Sequence, residues 1–378
     1  MVIGVAKEIA IGEKRVSLVP EVISRLKGVS VVMERGAGEG AGFSDAAYSD
    51  KGVPIVDTAT LYGQSDIVLK VQPPTEAEAR LFKEGTTLIS FLFPLANLEA
   101  VRRLVAQRVT AFAMELMPRI SRAQSMDALS SQALISGYKA VLLAANSLSK
   151  LFPMLMTAAG TIPPAKVFVI GAGVAGLQAI ATARRLGAVV EAYDVRPAAK
   201  EELASLGAKF VELPIEAKDA QTAGGYAKAQ SEEFYRKQQE LLAEHAQVSD
   251  IVITTALVPG KRAPILVSED AVKGMRSGSV IVDLAAEQGG NCVLTEPGKS
   301  VVKYGVMIYG PLNLPSTMAP QASQLYSRNI TSFLSTMLKD GTLSIDVKDD
   351  LIRATLVINN GEVVHESTKI AISEGGLR

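Results

Sequence analysis

The stretch Lys166-Val-Phe-Val-Ile170-Gly171-Ala-Gly173-Val-Ala-Gly176-Leu-Gln-Ala decides the fold. Val167–Ile170 reads as a buried strand, Val174–Leu186 as a helix, and the glycines as the turn between them. Gly171 permits the tight turn, Gly173 lets a pyrophosphate approach the backbone, and Gly176 allows close helix–strand packing. The helix N-terminus adds amide donors and partial positive charge for phosphates. Asp194 closes the next strand 18 residues after Gly176, a spacing that suits a carboxylate receiving the hydroxyls of an adenosine ribose. Asp194 would repel a 2′-phosphate, which favours NAD over NADP, while Arg196 two residues later pulls the other way. The competing reading is a glycine turn in an α/β domain with no nucleotide; the strand before it and the helix after it weigh against that.

Outward from this turn the pattern repeats. Strands are expected at Val189–Tyr193, Lys209–Val211, Asp250–Thr254, Ser279–Asp283 and Gly305–Tyr309, with helices at Lys200–Leu206 and Glu232–Gln247 between them. An earlier series places strands at Val2–Ala6, Ser30–Glu34, Asp66–Val71, Thr86–Phe91 and Val109–Met114, and helices at Pro20–Lys27, Thr75–Lys83 and Asn97–Gln107. Strand–helix alternation is the mark of a doubly wound parallel sheet, and two series mean two Rossmann-like α/β domains. After Pro315 come a long helical pattern, Ala319–Leu338, and a β-like tail, Leu343–Val364. That tail is too small to fold alone, so it is expected to return to the first domain. The predicted division is residues 1–130 with 319–378, and residues 131–318.

Composition narrows the function. Lys plus Arg and Asp plus Glu both total 39, so the net charge is zero. A nucleic-acid binder or a polybasic membrane binder needs a positive face. Neither a secretory leader nor an apolar run of about 18 residues occurs, so a direct membrane span or lipid anchor is not expected. The single cysteine, Cys292, and the two histidines, His245 and His365, exclude a disulfide framework and leave little for a metal site. Cys292 reads as structural and both histidines as surface residues. Asp283 and Glu287 follow a buried strand at the ligand-binding end of a sheet, and either approach a nucleotide or cap the next turn.

A second unusual stretch is Met114-Glu-Leu-Met-Pro118-Arg119-Ile-Ser-Arg122-Ala-Gln124-Ser-Met-Asp127-Ala-Leu-Ser130. Two arginines, an amide, a carboxylate and several hydroxyls in one loop suit the fixing of a polar group such as a carboxamide. Equally, such a loop can be solvated, with an internal Arg–Asp pair and with Asp127 or Ser130 capping the following helix.

Taken together, Met117–Asp127, Thr157-Ala-Ala-Gly160, Pro163-Pro-Ala165, the glycine turn, Ala223-Gly-Gly-Tyr-Ala-Lys228, Thr254-Thr-Ala-Leu257, Pro259-Gly-Lys261 and Gly289-Gly-Asn-Cys292 resemble one family. It is the proton-translocating nicotinamide nucleotide transhydrogenases, specifically their NAD(H)-binding component, and the resemblance runs through essentially the whole chain. It implies a homodimer that binds NAD(H) and exchanges hydride with NADP(H) on a partner component, which sits on a membrane-spanning proton channel. The location implied is cytoplasmic, peripheral to the inner membrane through those partners. Since the sequence stops at Arg378 without apolar helices, it resembles the form in which this component is a separate chain. Carried over motif by motif, the resemblance assigns Gly171, Ala172, Gly173, Val174, Gly176, Asp194, Val195, Arg196, Thr255, Ala256 and Leu257 to the nucleotide. Arg119, Gln124, Asp127 and Ser130 would orient the nicotinamide carboxamide, and Tyr226 would lie on a mobile loop closing over it.

The chemistry points the same way. Oxidation of an alcohol or amine by NAD releases a proton and needs a positioned base. Hydride exchange between two nicotinamides releases none at the reacting carbon, so positioning and exclusion of water suffice. The polar loop holds no histidine. The rival is alanine dehydrogenase, which Lys7-Glu8, Arg15-Val16 and Gly36-Ala-Gly38 also resemble, with Lys70 where that family keeps a substrate lysine. Its catalytic histidine would fall within Leu88–Pro94, where phenylalanines stand instead. Arg15 and Lys70 then read as pocket remnants or structural ion-pairing residues. A third reading is an NAD-responsive binding module without hydride exchange.

Overall fold

The computed structural model describes residues 1–213, 231–257 and 262–374. The chain divides into two compact units, Met1–Gln132 with Pro315–Arg378, and Ala133–Leu314. Each is built on its own mixed α/β sheet.

In the first unit, eight strands lie in the order Glu362–Val363, Leu356–Asn359, Thr110–Ala113, Thr87–Ser90, Ile67–Leu69, Val2–Val5, Ser30–Glu34 and Ile55–Val56. The six strands from the N-terminal half are parallel, and the two from the tail add antiparallel at one edge. Strands buried on both faces need helices on both, which is why they read as continuous apolar runs. One face is covered by the helix Ala319–Met337, whose Tyr326, Ile330, Phe333 and Leu334 join Ile3, Leu69, Ile89 and Phe112 in a single core. The helix also brings buried hydroxyls: Ser323 and Ser327 accept the Val16 and Val19 amides at 3.0 and 3.1 Å.

The second unit has seven strands, ordered Lys209–Phe210, Val189–Tyr193, Lys166–Ile170, Ile251–Thr254, Val280–Asp283, Val306–Tyr309 and Ser300–Lys303. All are parallel but the last. From Lys166–Ile170 the chain winds outward through Val189–Tyr193 to Lys209–Phe210, then resumes on the other side at Ile251–Thr254. The strand order therefore reverses beside the glycine turn, the place where doubly wound sheets bind ligands.

Several elements differ from the sequence reading. The tail is not uniformly β: a helix, Asp350–Thr355, interrupts it, begun by Asp349, which accepts the Leu351 amide at 2.8 Å. The helix expected at Thr75–Lys83 contracts to Glu76–Ala79 behind a capping box of Thr75 and Glu78. Pro20–Lys27 becomes a 3-10 segment, Pro20–Arg25. An unforeseen antiparallel edge strand, Ser300–Lys303, turns into its neighbour through Tyr304 and Gly305, with φ of 53° and 78°. Neither histidine is fully exposed. His245 Nδ1 lies 2.7 Å from Glu191 Oε2, and His365 Nδ1 lies 2.7 Å from the Thr368 hydroxyl.

Candidate functional site

The glycine turn is held from three neighbouring strands of the second unit. Gly171 has φ of +101°, and a Cβ there would stand 2.5 Å from the Thr255 hydroxyl, so side chains are excluded by conformation and by space. Its amide donates to the Tyr193 carbonyl at 2.8 Å, while Thr255 donates its amide to Ile170 at 2.8 Å and its hydroxyl to Gly171 at 3.0 Å. A Cβ on Gly176 would fall 1.8 Å from the Gly171 carbonyl oxygen, so the helix rests directly on the turn. Gly173 behaves differently. It is exposed, it precedes the helix Val174–Arg185 with no side-chain cap, and a Cβ there would meet nothing within 4 Å. No internal packing demands glycine at 173. Open amide donors at a helix N-terminus and bare backbone above them fit a pyrophosphate.

Asp194, just past the strand Val189–Tyr193, faces this turn. Its Oδ2 accepts the Ala172 amide at 2.7 Å, and Arg196 holds it through Nε to Oδ1 at 2.9 Å and Nη2 to Oδ2 at 3.0 Å. The hydrogen bonds from Asp194, ahead of partial burial, raise the Arg196 pKa above its ordinary value. Ala172 is buried, whereas Val174 and Leu257 are exposed and Val195 half-buried. Thus the nucleotide residues expected from sequence assemble at the carboxyl ends of adjacent strands. Tyr226 and the Pro259-Gly-Lys261 segment lie outside the described residues.

Two supporting residues had no role in the sequence reading. Asn291, fully buried, accepts the Ala256 amide at 3.0 Å and donates to the Ala256 and Pro264 carbonyls at 2.9 and 2.8 Å, fixing the chain after Ile251–Thr254. An asparagine following two left-handed glycines, Gly289 and Gly290, is the signal that could have found it. Gly137, within the helix Ala128–Ser147, would place a Cβ 2.0 Å from the Ala175 carbonyl oxygen. A lone glycine inside a helical pattern costs about 1 kcal/mol and so points to a close approach.

Asp283 and Glu287 serve the fold. Asp283 is fully buried and accepts from Thr254 Oγ1 at 2.8 Å, the Ala285 amide at 3.0 Å, the Cys292 amide at 3.0 Å and Thr295 Oγ1 at 2.7 Å. Glu287 accepts the Asn313 amide at 2.6 Å. Cys292 is fully buried, and burial pushes its thiol up to about 11. A thiol so rarely ionised is not a nucleophile.

The polar loop belongs to the first unit. Ser121–Met126 forms a 3-10 segment that leads into the helix Ala128–Ser147. Asp127 caps that helix: Oδ1 accepts the Ser130 amide at 2.8 Å and Oδ2 the Ser130 hydroxyl at 2.6 Å. The anticipated internal Arg–Asp pair is not formed with Asp127, because Arg122 instead grips Asp349 of the tail with both terminal nitrogens, at 2.9 and 2.6 Å. Asn329 ties the loop down, accepting the Ser131 hydroxyl at 2.7 Å and donating to the Ser125 carbonyl at 2.9 Å. Arg119 and Gln124 stay at the surface of this braced loop.

The remaining charged groups of this unit are mutually neutralised. Glu13 binds Arg15 at 2.9 and 2.6 Å, and both are buried. Lys70, 1% exposed, lies 2.5 Å from Glu78 and 3.4 Å from Glu8. Burial alone would lower the Lys70 pKa, but the two carboxylates outweigh it and hold it above its ordinary value.

Fold and site define a dinucleotide-binding protein of two α/β units, with a phosphate-binding turn and no thiol nucleophile. Residues 4–136 match the N-terminal domain, and residues 140–366 the C-terminal domain, of the alanine dehydrogenase/PNT family models. The chain belongs to that family. It is 51% identical over 376 residues to an NAD(P) transhydrogenase subunit alpha chain of Rhodospirillum rubrum, covering 97% of this chain and 98% of that protein. Against alanine dehydrogenase 2 of Staphylococcus aureus the identity is 33%, over 89% of this chain and 87% of the other. A solved transhydrogenase from Sinorhizobium meliloti superposes with a TM-score of 0.87 at 46% identity, covering 96% of this chain and all of that one. Similarity is thus greater to these transhydrogenases than to that dehydrogenase. Among the described residues, no helix is long and apolar enough to cross a membrane.

Proposed function

We propose that this chain is the NAD(H)-binding component of a proton-translocating transhydrogenase, and that it exchanges hydride directly with NADP(H) held on a partner component. When bound, the nicotinamide supplies the carbon that gives or takes the hydride. The chain's own residues bind and orient. Ala172, Gly173 and Val174 offer the turn to the pyrophosphate, Asp194 and Val195 take the adenosine ribose, and Thr255, Ala256 and Leu257 border the nucleotide. Arg119, Gln124, Asp127 and Ser130 position the carboxamide.

The observation that carries this reading over amino-acid oxidation is the state of Arg15 and Lys70. Both buried cations are already bound by the chain's own carboxylates, Glu13, Glu8 and Glu78. Phe91 and Phe93 stack at 5.7 Å in the segment where a dehydrogenase would need its acid–base group. A buried cation so paired is not offered to a substrate carboxylate.

Three further elements belong to the proposal: a homodimer, a membrane-spanning partner that moves the proton, and a location on the cytoplasmic face of the inner membrane through that partner. Self-association finds support in the hairpin Leu155–Thr157/Gly160–Ile162, which exposes Met156 at 78% along with Leu155 and Ile162. The test is to mix the chain with the NADP(H)-binding component and follow reduction of an NAD analogue by absorbance. Transfer only in the mixture, and no NADH oxidation with pyruvate and ammonia, is expected. Turnover with pyruvate and ammonia would favour the dehydrogenase, and tight NADH binding without transfer the binding module.

A further inference from the structure

We propose that Arg196 is a latch on Asp194, competing with the adenosine ribose for the same carboxylate oxygens. The inference rests on the reading of the glycine turn as an NAD(H) site. A carboxylate offers about four lone-pair positions, two on each oxygen. On Asp194 all four are taken. Oδ1 accepts the Arg196 amide at 2.8 Å and Arg196 Nε at 2.9 Å; Oδ2 accepts the Ala172 amide at 2.7 Å and Arg196 Nη2 at 3.0 Å. One donor on each oxygen is a backbone amide, fixed by the turn. The other on each oxygen is the guanidinium, which can leave by side-chain rotation alone.

That division matters because two adjacent ribose hydroxyls need one free position on each oxygen. Departure of the guanidinium frees that pair and leaves the two amides in place. The closed latch is firm: Arg196 Nη2 also donates to the Ala172 carbonyl at 3.0 Å, and the guanidinium leaves the Asp194 side chain only 8% exposed. Charge-assisted, two-pronged contacts of this kind are the stronger class of hydrogen bond. The ribose therefore binds at the expense of the latch, and apparent affinity is reduced by the fraction of chains in which the latch is closed. Arg196 is in this sense a specificity-determining residue. Its release exposes a cation next to the ribose, which softens the exclusion of a 2′-phosphate by Asp194.

NADH binding to the isolated chain, read by nucleotide fluorescence, tests the latch. With the latch closed in about nine chains of ten, Arg196→Ala tightens NADH about tenfold, and Arg196→Lys, which loses the two-pronged grip, tightens it by less. Asp194→Asn weakens NADH, and adding Arg196→Ala to it brings no gain, because the competition has lost its object. NADPH affinity does not improve in Arg196→Ala. If Arg196→Ala leaves NADH binding unchanged or weakens it in a chain of wild-type Tm, or if NADH and NADPH change by the same factor, the latch is overturned. Absence of NADH binding in the wild-type chain would instead remove the nucleotide reading, and the latch with it.

Discussion

The Lys70 ammonium is held at 2.5 Å by Glu78, whose other carboxylate oxygen accepts the Thr75 amide at 2.8 Å and so caps its own helix. One buried side chain thus joins an ion pair to a helix start. Lys70→Met would strand the Glu78 and Glu8 carboxylates in the interior, a change that costs about 3–5 kcal/mol when one partner of a buried pair is removed. A urea titration should show that loss, while NADH affinity at the separate glycine turn changes by less than about twofold. Unaltered stability would show the pair to be dispensable and reopen a substrate role for Lys70.

Gly173 and Gly176 are separable by experiment. Gly176→Ala drives a methyl into the Gly171 carbonyl, where the ideal Cβ is only 1.8 Å away, so both thermal stability and NADH binding fall. Gly173→Ala meets open space and leaves Tm within a degree or two of wild type. Its methyl stands where the phosphates would approach, and NADH affinity is expected to drop about tenfold or more. Equal loss of stability in both variants would show that glycine at 173 is required by the fold alone.

Legibility follows the physics of each element. Ser30–Glu34, Val189–Tyr193 and Glu232–Gln247 are readable to the residue, because buried β-branched runs and a Ser231 cap on the Phe234 amide are strong local signals. The glycine turn is readable because each glycine answers a different steric demand. What sequence conceals is set by distant partners. Asp349 starts a short helix in a β-like tail and also takes Arg122 from 227 residues away. Asn291 braces Ala256 across 35 residues, and no local pattern announces it. Glu78 shows in sequence as a capping residue, but its pairing with Lys70 emerges only when strand and helix meet.

In the polar loop, Asp127 and Gln124 should behave differently. Asp127→Ala removes both bonds to Ser130, costing about 1 kcal/mol of stability from the lost cap in addition to its effect on hydride transfer. Asp127→Asn keeps a capping oxygen and restores most of that stability. Gln124 is exposed, so Gln124→Ala should leave Tm unchanged and slow transfer to the NADP(H)-binding component more than it weakens NADH binding. A wild-type rate in Gln124→Ala would remove it from the positioning role.

The exposed hairpin offers a test of self-association. Met156→Asp places a charge on an apolar surface that already faces water in the single chain, so folding should tolerate it. If the hairpin lies in a dimer interface, the variant's mass by sedimentation falls from about twice to about once that of a 39.9 kDa chain at micromolar concentration. An unchanged mass would place the interface elsewhere.

Glu115 predicts the direction of one pH effect. Burial pushes its carboxyl up to about 7, and the amides of Leu92 and Phe93, which donate to it, only partly oppose the rise. Between the unfolded value of 4.5 and about 7, the folded chain therefore keeps a proton that the unfolded chain has released. Glu115's contribution to stability is full below pH 4.5 and is lost as pH rises through about 7. Glu13 acts in the opposite sense and elsewhere on the scale. Burial would raise it, but Arg15 outweighs that and holds it at about 2, so its contribution is lost only as pH falls below 4.5. The difference between wild type and Glu115→Gln isolates the first effect from all other titrating groups. Relative to the variant, wild type should lose on the order of 2–3 kcal/mol between pH 5 and 8 in urea titrations. A difference that stays flat across that range would mean that the Leu92 and Phe93 amides keep the carboxylate ionised throughout, despite its burial.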